Sequence, residues 1–239
     1  MPGDVNIAYV AALLADEARA SMIVALGDDR AMTAGELARC ASVKPSTASA
    51  HLARLVESGL LVVERQGRHH YFRLADLSIM DAIESLALFA PAKPIRSLRD
   101  STIAGALRSA RMCYNHLAGE LGVAVTQALL EKRIVREVED GYAVSEDGQR
   151  WLCEFGVMTP KKRSLLFAPH HIDWSERRHH LAGALGAALA KRLFEVGWVR
   201  RLPSSRAVRV TEEGRTELAR VFGLHPTEEM CLHARPVAV

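Results

Sequence analysis

Apolar residues recur at helical spacing along the first part of this chain, punctuated by capping and turn residues. Asn6 precedes a run in which Ile7, Val10, Ala11 and Leu14 share one face, so a capped helix is expected over 7–15. A second helix over 17–26 stops at Gly27-Asp28-Asp29. A short helix over 34–41 is followed by a turn at Ser42-Val43-Lys44, and a further helix opens with Pro45, where the missing N–H costs nothing. Gly59 is placed to end that helix in a left-handed conformation. Two β-like runs, 60–65 and 69–74, flank a polar Gln66-Gly67-Arg68 turn. The pattern returns to helical spacing after the hairpin, with Ile79, Ala82, Ile83, Leu86 and Phe89 in register. Helix, turn, helix and basic hairpin together describe a winged helix-turn-helix.

At 100° per residue, the helix opened by Pro45 separates two faces. Ala48, Leu52, Leu55 and Val56 lie on the side that must pack, while Ser46, Thr47, Ala50 and Arg54 lie opposite, with Ser49 and His51 at the margins. Small polar side chains ending in an arginine suit a helix laid in the major groove of DNA. Lys44 before the helix, and Arg65, Arg68 and His69 on the hairpin, are placed to meet phosphates or the minor groove. Overall charge adds little, since 31 basic residues against 28 acidic ones leave only +3. Its distribution adds more: Arg39, Lys44, Arg54, Arg65, Arg68 and Arg73 face only Glu57 and Glu64 between positions 39 and 73.

The residues Ala15-Asp16 with Arg19, Glu36-Leu37-Ala38, Ser49-Ala50-His51-Leu52, Leu55, Glu57-Ser58-Gly59-Leu60-Leu61, and Gly67-Arg68 before Tyr71-Phe72-Arg73-Leu74 carry a family likeness. Over roughly the first 90 residues the chain resembles the ArsR/SmtB winged-helix repressors of bacteria. The resemblance implies a homodimer in which the first helix and the helix after the wing pack across a two-fold axis, presenting two recognition helices to double-stranded operator DNA. It also implies metal sensing, through cysteines in the helix before the recognition helix or through an Asp-x-His and His-x-x-Glu set after the wing. Here the first region holds only Cys40 and the second holds no histidine, so both usual sites are missing.

Two prolines within Ala90-Pro91-Ala92-Lys93-Pro94 break the pattern and mark a linker over 91–97. Beyond it the sequence repeats itself. The segment from Cys113 matches that from Arg177 at a constant offset of 64, with His116-Leu117-Ala118-Gly119 recurring as His180-Leu181-Ala182-Gly183. After a two-residue insertion, the stretch 142–148 matches 208–214. Each copy reads as a long helix, a hairpin and a helix capped by Ser145 or Thr211. Gly119 with Gly122, and Gly183 with Gly186, are read as helix–helix contact points. Longer ArsR/SmtB regulators carry a similar extension, with CY-x-HLAG-x-LG and DW-x-ERR-x-HLAG-x-LG motifs that match 113–122 and 173–186. The expected class is mainly α with small β-hairpins (α+β): a winged helix-turn-helix for DNA binding and dimerisation over 1–90, repeats of winged-helix-like outline over 98–160 and 161–224, and a tail over 225–239.

Candidate effector residues lie in the repeats. Cys113 and His116, three apart, are read as sharing one helical face. By the repeat symmetry His116 and His180 are equivalent, and His171 and Asp173 precede the second copy. Cys113, His116, His171 and Asp173, with His180 nearby, form a candidate mixed S/N/O site for a divalent metal such as zinc. Three readings stay open: histidines that merely hydrogen-bond at the repeat interface, a metal site, or a site for an organic effector. Cys231-Leu232-His233 is read as disordered tail, His70 as half-buried on the hairpin, and Trp151, Trp174 and Trp198 as packing residues.

The amino-terminal stretch has no basic run before its short apolar segment, no segment approaches the length of a membrane span, and the four cysteines form no CxxC pair. A cytoplasmic protein without structural disulfides or membrane contact is therefore expected. The expected function is a sequence-specific, dimeric transcriptional repressor that an effector bound in the C-terminal half releases from its operator. Two other classes compete. A metal-dependent enzyme using the His-rich half lacks HExxH, Gly-x-Ser-x-Gly and phosphate-loop signatures. An architectural DNA-binding protein without effector would coat DNA evenly instead of protecting one palindrome.

Overall fold

A computed structural model describes residues 4–91, 93–95, 97–157, 163–202 and 205–231. Leu232 and His233 of the expected tail motif lie outside them, as do Ala92 and Arg96 of the expected linker. The chain divides into two compact units, Met1–Ile83 and Glu84–Val239. The division falls inside a helix, ahead of the proline pair expected to mark it.

In the first unit, helix α1 (Ile7–Leu14) begins where the Asn6 side chain accepts from the Tyr9 N–H, and α2 (Glu17–Ala25) where Asp16 accepts from the Arg19 N–H. A short strand β1 (Met32–Thr33) leads into α3 (Ala34–Cys40), which opens with a reciprocal capping box between Thr33 and Glu36. Helix α4 (Pro45–Glu57), strands β2 (Leu61–Gln66) and β3 (His69–Leu74), and helix α5 (Leu77–Ala87) complete the order. The strands form an antiparallel sheet in the order β1-β3-β2. Strand β1, only two residues long and invisible to periodicity, pairs Met32 with Phe72 and Thr33 with Tyr71. Met22, Ile23, Leu26, Leu37, Ala48, Leu52, Leu55, Leu61 and Met80 make one buried core, so α4 buries the face its sequence pattern assigns. This is the expected winged helix-turn-helix.

The second unit contains α6 (Leu98–Ser109), β4 (Arg111–Cys113), β5 (His116–Ala118), α7 (Gly119–Glu131), β6 (Val135–Val138), β7 (Gly141–Val144) and α8 (Glu146–Glu154). There follow a single helical turn at Arg163–Leu165, β8 (Phe167–Ile172), β9 (His179–Leu181), α9 (Gly183–Glu195), β10 (Val199–Arg201), β11 (Val208–Val210), α10 (Glu212–Phe222) and α11 (Glu228–Cys231). With its short antiparallel strands among helices, the chain is α+β as expected.

One expectation is overturned here. His116-Leu117-Ala118 before Gly119 and His180-Leu181 before Gly183 lie in strands, so Cys113 and His116 do not share a helical face. They are cross-strand partners in the β4–β5 hairpin. Gly119 and Gly183, at φ +76° and +63°, turn the chain from strand into helix, which is why glycine stands there. A side chain at position 119 would meet the Arg108 carbonyl oxygen at 2.5 Å, and one at 122 the Leu117 carbonyl oxygen at 2.4 Å. Gly119 thus admits the backbone of α6, a helix–helix approach as expected, whereas Gly122, Gly183 and Gly186 lie against strand residues instead.

Elements recur in one order within this unit: hairpin, helix of 13 residues, hairpin, helix. Leu121, Val125 and Leu129 of α7 are buried, as are Leu185, Leu189 and Leu193 of α9. Each such side chain contributes about 1.5–3 kcal/mol when fully withdrawn from water. Ser145 and Thr211 hold matching positions, each accepting from the N–H three residues on (Gly148 and Gly214) at 2.9 Å. Each also donates to a carbonyl at the end of the helix before its hairpin, Arg133 at 2.7 Å and Gly197 at 2.8 Å. Strand pairing interleaves the two halves. β7 pairs with β8 within a sheet ordered β6-β7-β8-β9, and Ala207 bridges Arg111 at the start of β4. α9 packs on β5 and α7 on β9, so each helix lies against a strand of the other half.

Candidate functional site

The outward face of α4 presents Ser46, Thr47, Ser49, Ala50 and Arg54 to solvent, with Lys44 exposed at the helix N-cap position. Arg65, Arg68 and His69 are exposed on the hairpin, where the Arg68 Nε lies 3.4 Å from His69 Nε2. His70 is exposed as well, not half-buried. Glu64 is taken up by Arg73, 2.5 Å away across the strands, so the acidic residue of the wing is neutralised locally. His51 is placed differently from its neighbours. Its side chain is only 17% exposed, with Nδ1 at 3.4 Å from an Arg19 terminal nitrogen and 3.8 Å from Asp16. Arg19 is in turn fixed by the Leu13 and Ala12 carbonyls, at 2.8 and 3.0 Å. His51 thus joins α4 to the α1–α2 corner instead of reaching outward beside Arg54.

In the second unit, Cys113, His116, His171 and His180 each offer a ligand atom, all within 4.8 Å of one another. Strand register explains why they meet. Cys113 faces His116 across β4–β5, and His171 faces His180 across β8–β9. The two pairs occupy matching positions in the two halves, but Cys113 to His171 is an offset of 58, not 64, because the two residues between the paired positions of one hairpin (114–115) are replaced by eight (172–179) in the other. A constant-offset comparison aligns Cys113 with Arg177 and misses the equivalence. His116 Nε2 and His180 Nε2 lie 3.2 Å apart, and the His171 ring stands edge-on to His116 at 5.0 Å. Cys113, His116 and His180 are buried and His171 is half-buried. Gly186 lets α9 close on this strand: a Cβ there would lie 3.0 Å from His116 Cβ.

Asp173 is brought next to the four but is not one of them. Its carboxylate is held by Arg111 at 2.9 Å and by the Gly119 N–H at 2.6 Å, and accepts from Ser175 Oγ at 2.7 Å. The expected ligand role fails because those partners already occupy its oxygens. Asp173 Oδ2 lies 3.8 Å from His180 Nδ1, behind the ring. Arg111, absent from the sequence expectations, is fully buried and stacks over Trp174 at 4.4 Å. Only the fold could reveal it, because its carboxylate partner lies 62 positions away in sequence.

Burial pushes the His180 imidazole down to about 3 against the opposing pull of Asp173. Burial, reinforced by His180 and His171, also holds His116 well below its ordinary value. Burial raises the Asp173 carboxyl, but Arg111 and hydrogen bonds from Ser175, Gly119 and Glu176 outweigh it and hold the group well below the usual carboxylate range. The cluster therefore brings the neutral, buried rings of His116 and His180 together with the His171 ring and a thiol, beside a compensated ion pair, a donor set suited to a borderline metal ion.

Residues 14–64 match a helix-turn-helix domain family. Over 212 residues, covering 88% of this chain and 94% of the relative, the sequence is 42% identical to the uncharacterized HTH-type transcriptional regulator YdfF of Bacillus subtilis (strain 168). The chain belongs to the HTH-type transcriptional regulators. The ArsR/SmtB resemblance of its first 90 residues falls within that family. Solved structures similar to this regulator include the cadmium metal-sensor CMTR from Mycobacterium tuberculosis, 30% identical, covering 39% of this chain and 100% of that one, with a TM-score of 0.31. NolR from Sinorhizobium fredii is 23% identical, covering 36% of this regulator and 85% of its own chain, with a TM-score of 0.33. Among the described residues of the regulator, no helix is long and apolar enough to cross a membrane.

Proposed function

We propose that this regulator is a homodimeric, cytoplasmic repressor that leaves a palindromic operator in double-stranded DNA when a divalent metal ion such as zinc binds its C-terminal unit. The observation that carries the DNA reading is the division of α4. Ala48, Leu52 and Leu55 are buried, while Ser46, Thr47, Ala50 and Arg54 face solvent. Arg54 is the base reader, the small residues permit close approach, and Lys44, Ser49, Arg65, Arg68 and His69 meet the backbone on either side. His51 orients the helix from within.

Dimerisation is supported by apolar surface that a monomer has no use for: Ile7 is 69% and Tyr9 51% exposed on α1, and Leu86 is 57% exposed on α5. Metal as effector is supported by the Cys113, His116, His171 and His180 cluster. Footprinting on genomic fragments tests the whole reading. Protection of a discrete palindrome, relieved by zinc, is the expected result; uniform coverage indifferent to zinc would overturn it.

A further inference from the structure

Outward oxygens bias how the two facing imidazoles hold their protons. His116 Nδ1 lies 3.4 Å from the Asn115 side-chain oxygen, and His180 Nδ1 faces Asp173 at 3.8 Å. Both favour the tautomer protonated at Nδ1, which leaves two Nε2 lone pairs facing each other across 3.2 Å. His180 Nδ1 is itself buried without a hydrogen-bond partner among the described residues. Opposed lone pairs repel unless a cation lies between them. In a tetrahedral zinc site with ordinary Zn–N and Zn–S bonds, ligand atoms stand about 3.3–3.6 Å apart. The Nε2–Nε2 separation fits that edge, and the 4.8 Å limit on the full set leaves only a modest contraction.

Resting on the reading that this cluster receives the effector, we infer that Cys113, His116, His171 and His180 form a closed four-coordinate site for one zinc-class ion, two ligands from each half of the unit. Cys113 binds as the thiolate, its proton leaving to solvent through the half-exposed His171 side. Hard ions are disfavoured, since the set supplies no oxygen. Asp173 is a positioning residue: it stands behind His180 as a carboxylate behind a metal-bound imidazole, and Arg111, Gly119 and Ser175 keep it there. With all four positions taken by protein, the ion has no water to activate. It staples β4–β5 to β8–β9, which suits a signal more than a reaction.

The test titrates chelator-stripped, full-length protein with cobalt(II) and zinc(II). One ion per chain is expected, with the intense visible bands of four-coordinate cobalt and a thiolate-to-cobalt charge-transfer band. Cys113→Ser should lose the charge-transfer band, and His171→Ala, the least buried ligand change, should weaken binding. Asp173→Asn should weaken it by about 10–100-fold while keeping the charge-transfer band. His179→Ala, on the exposed edge of β9, should bind like wild type. Six-coordinate cobalt without a thiolate band, in a site still lost with His171→Ala, would overturn the closed geometry and leave the effector reading standing. No retained ion, or retention equal in every variant, would overturn both. Four-coordinate binding with unchanged operator affinity would uphold this site and overturn the effector reading.

Discussion

Replacing Gly186 by alanine tests the approach of helix to strand on which the cluster depends. The added Cβ would lie 2.5 Å from the Leu181 carbonyl oxygen and 3.0 Å from His116 Cβ. An ordinary carbon–oxygen contact needs about 3.3 Å, so α9 and the end of β9 must part by about 0.8 Å, and His116 on β5 must yield with them. Overpacking of this kind costs about 1–3 kcal/mol. Alanine recovers about 1 kcal/mol in a helix interior, so the net change runs from about zero to a loss of about 2 kcal/mol. Gly105, inside α6 with nothing within 4 Å of its Cβ position, is the control, where alanine should stabilise by about 0.5–1 kcal/mol. Urea unfolding measures both, and cobalt titration should show Gly186→Ala weakened by about tenfold or more, because His116 sits at the point of contact. If Gly186→Ala stabilises as Gly105→Ala does and binds cobalt like wild type, the packing of α9 onto the His116 strand is refuted.

Other expectations concern the DNA face, the paired caps and acid stability. Arg54→Ala should cost about 1–3 kcal/mol of discrimination between operator and random DNA. Arg68→Ala should weaken binding to all sequences and lower the salt slope by about one; anisotropy titrations at several salt concentrations separate the two. Ser145→Ala and Thr211→Ala should each cost about 1 kcal/mol in urea melts, and unequal losses well beyond that scale would show that the two caps do not do the same job. Acid stability follows from the buried imidazoles. An unfolded chain takes up protons near the ordinary value of 6.5, while folded His180 resists until about 3 and folded His116 is likewise held low. The unfolded state therefore binds more protons, and metal-free protein should lose stability as pH falls from about 6.5 toward 3. Melts that stay flat across that window would show that these rings are not buried neutral.

The first unit is legible in the sequence because each of its signals is local. Asn6, Asp16, Thr33 with Glu36, and Gly59 act within one turn of the backbone they cap, and the two faces of α4 follow from spacing alone. The second unit is less legible for a physical reason. Three-residue strands buried throughout, such as β4 and β5, show no alternation, so His116-Leu117-Ala118 looks like the first turn of the helix that follows. Only the glycine φ values locate the switch. Four of the five proposed ligands do meet, yet for a different reason than helical spacing: they are two cross-strand pairs. Asp173 belonged to the sequence candidates as an oxygen ligand, and burial beside Arg111, whose partner lies 62 positions away in sequence, gave it another task. His51 departs from the expected DNA face similarly, because Arg19 and Asp16 come from helices the periodicity of α4 cannot see.

Operator binding measured with and without zinc, on wild type and on a Cys113→Ser/His116→Ala variant, bears most directly on the link between the two units. Anisotropy on the footprinted palindrome should show tight binding by both proteins without metal, and a zinc-dependent loss of affinity in wild type alone. Equal responses to zinc in both proteins, or none in either, would contradict control of α4 by the C-terminal cluster.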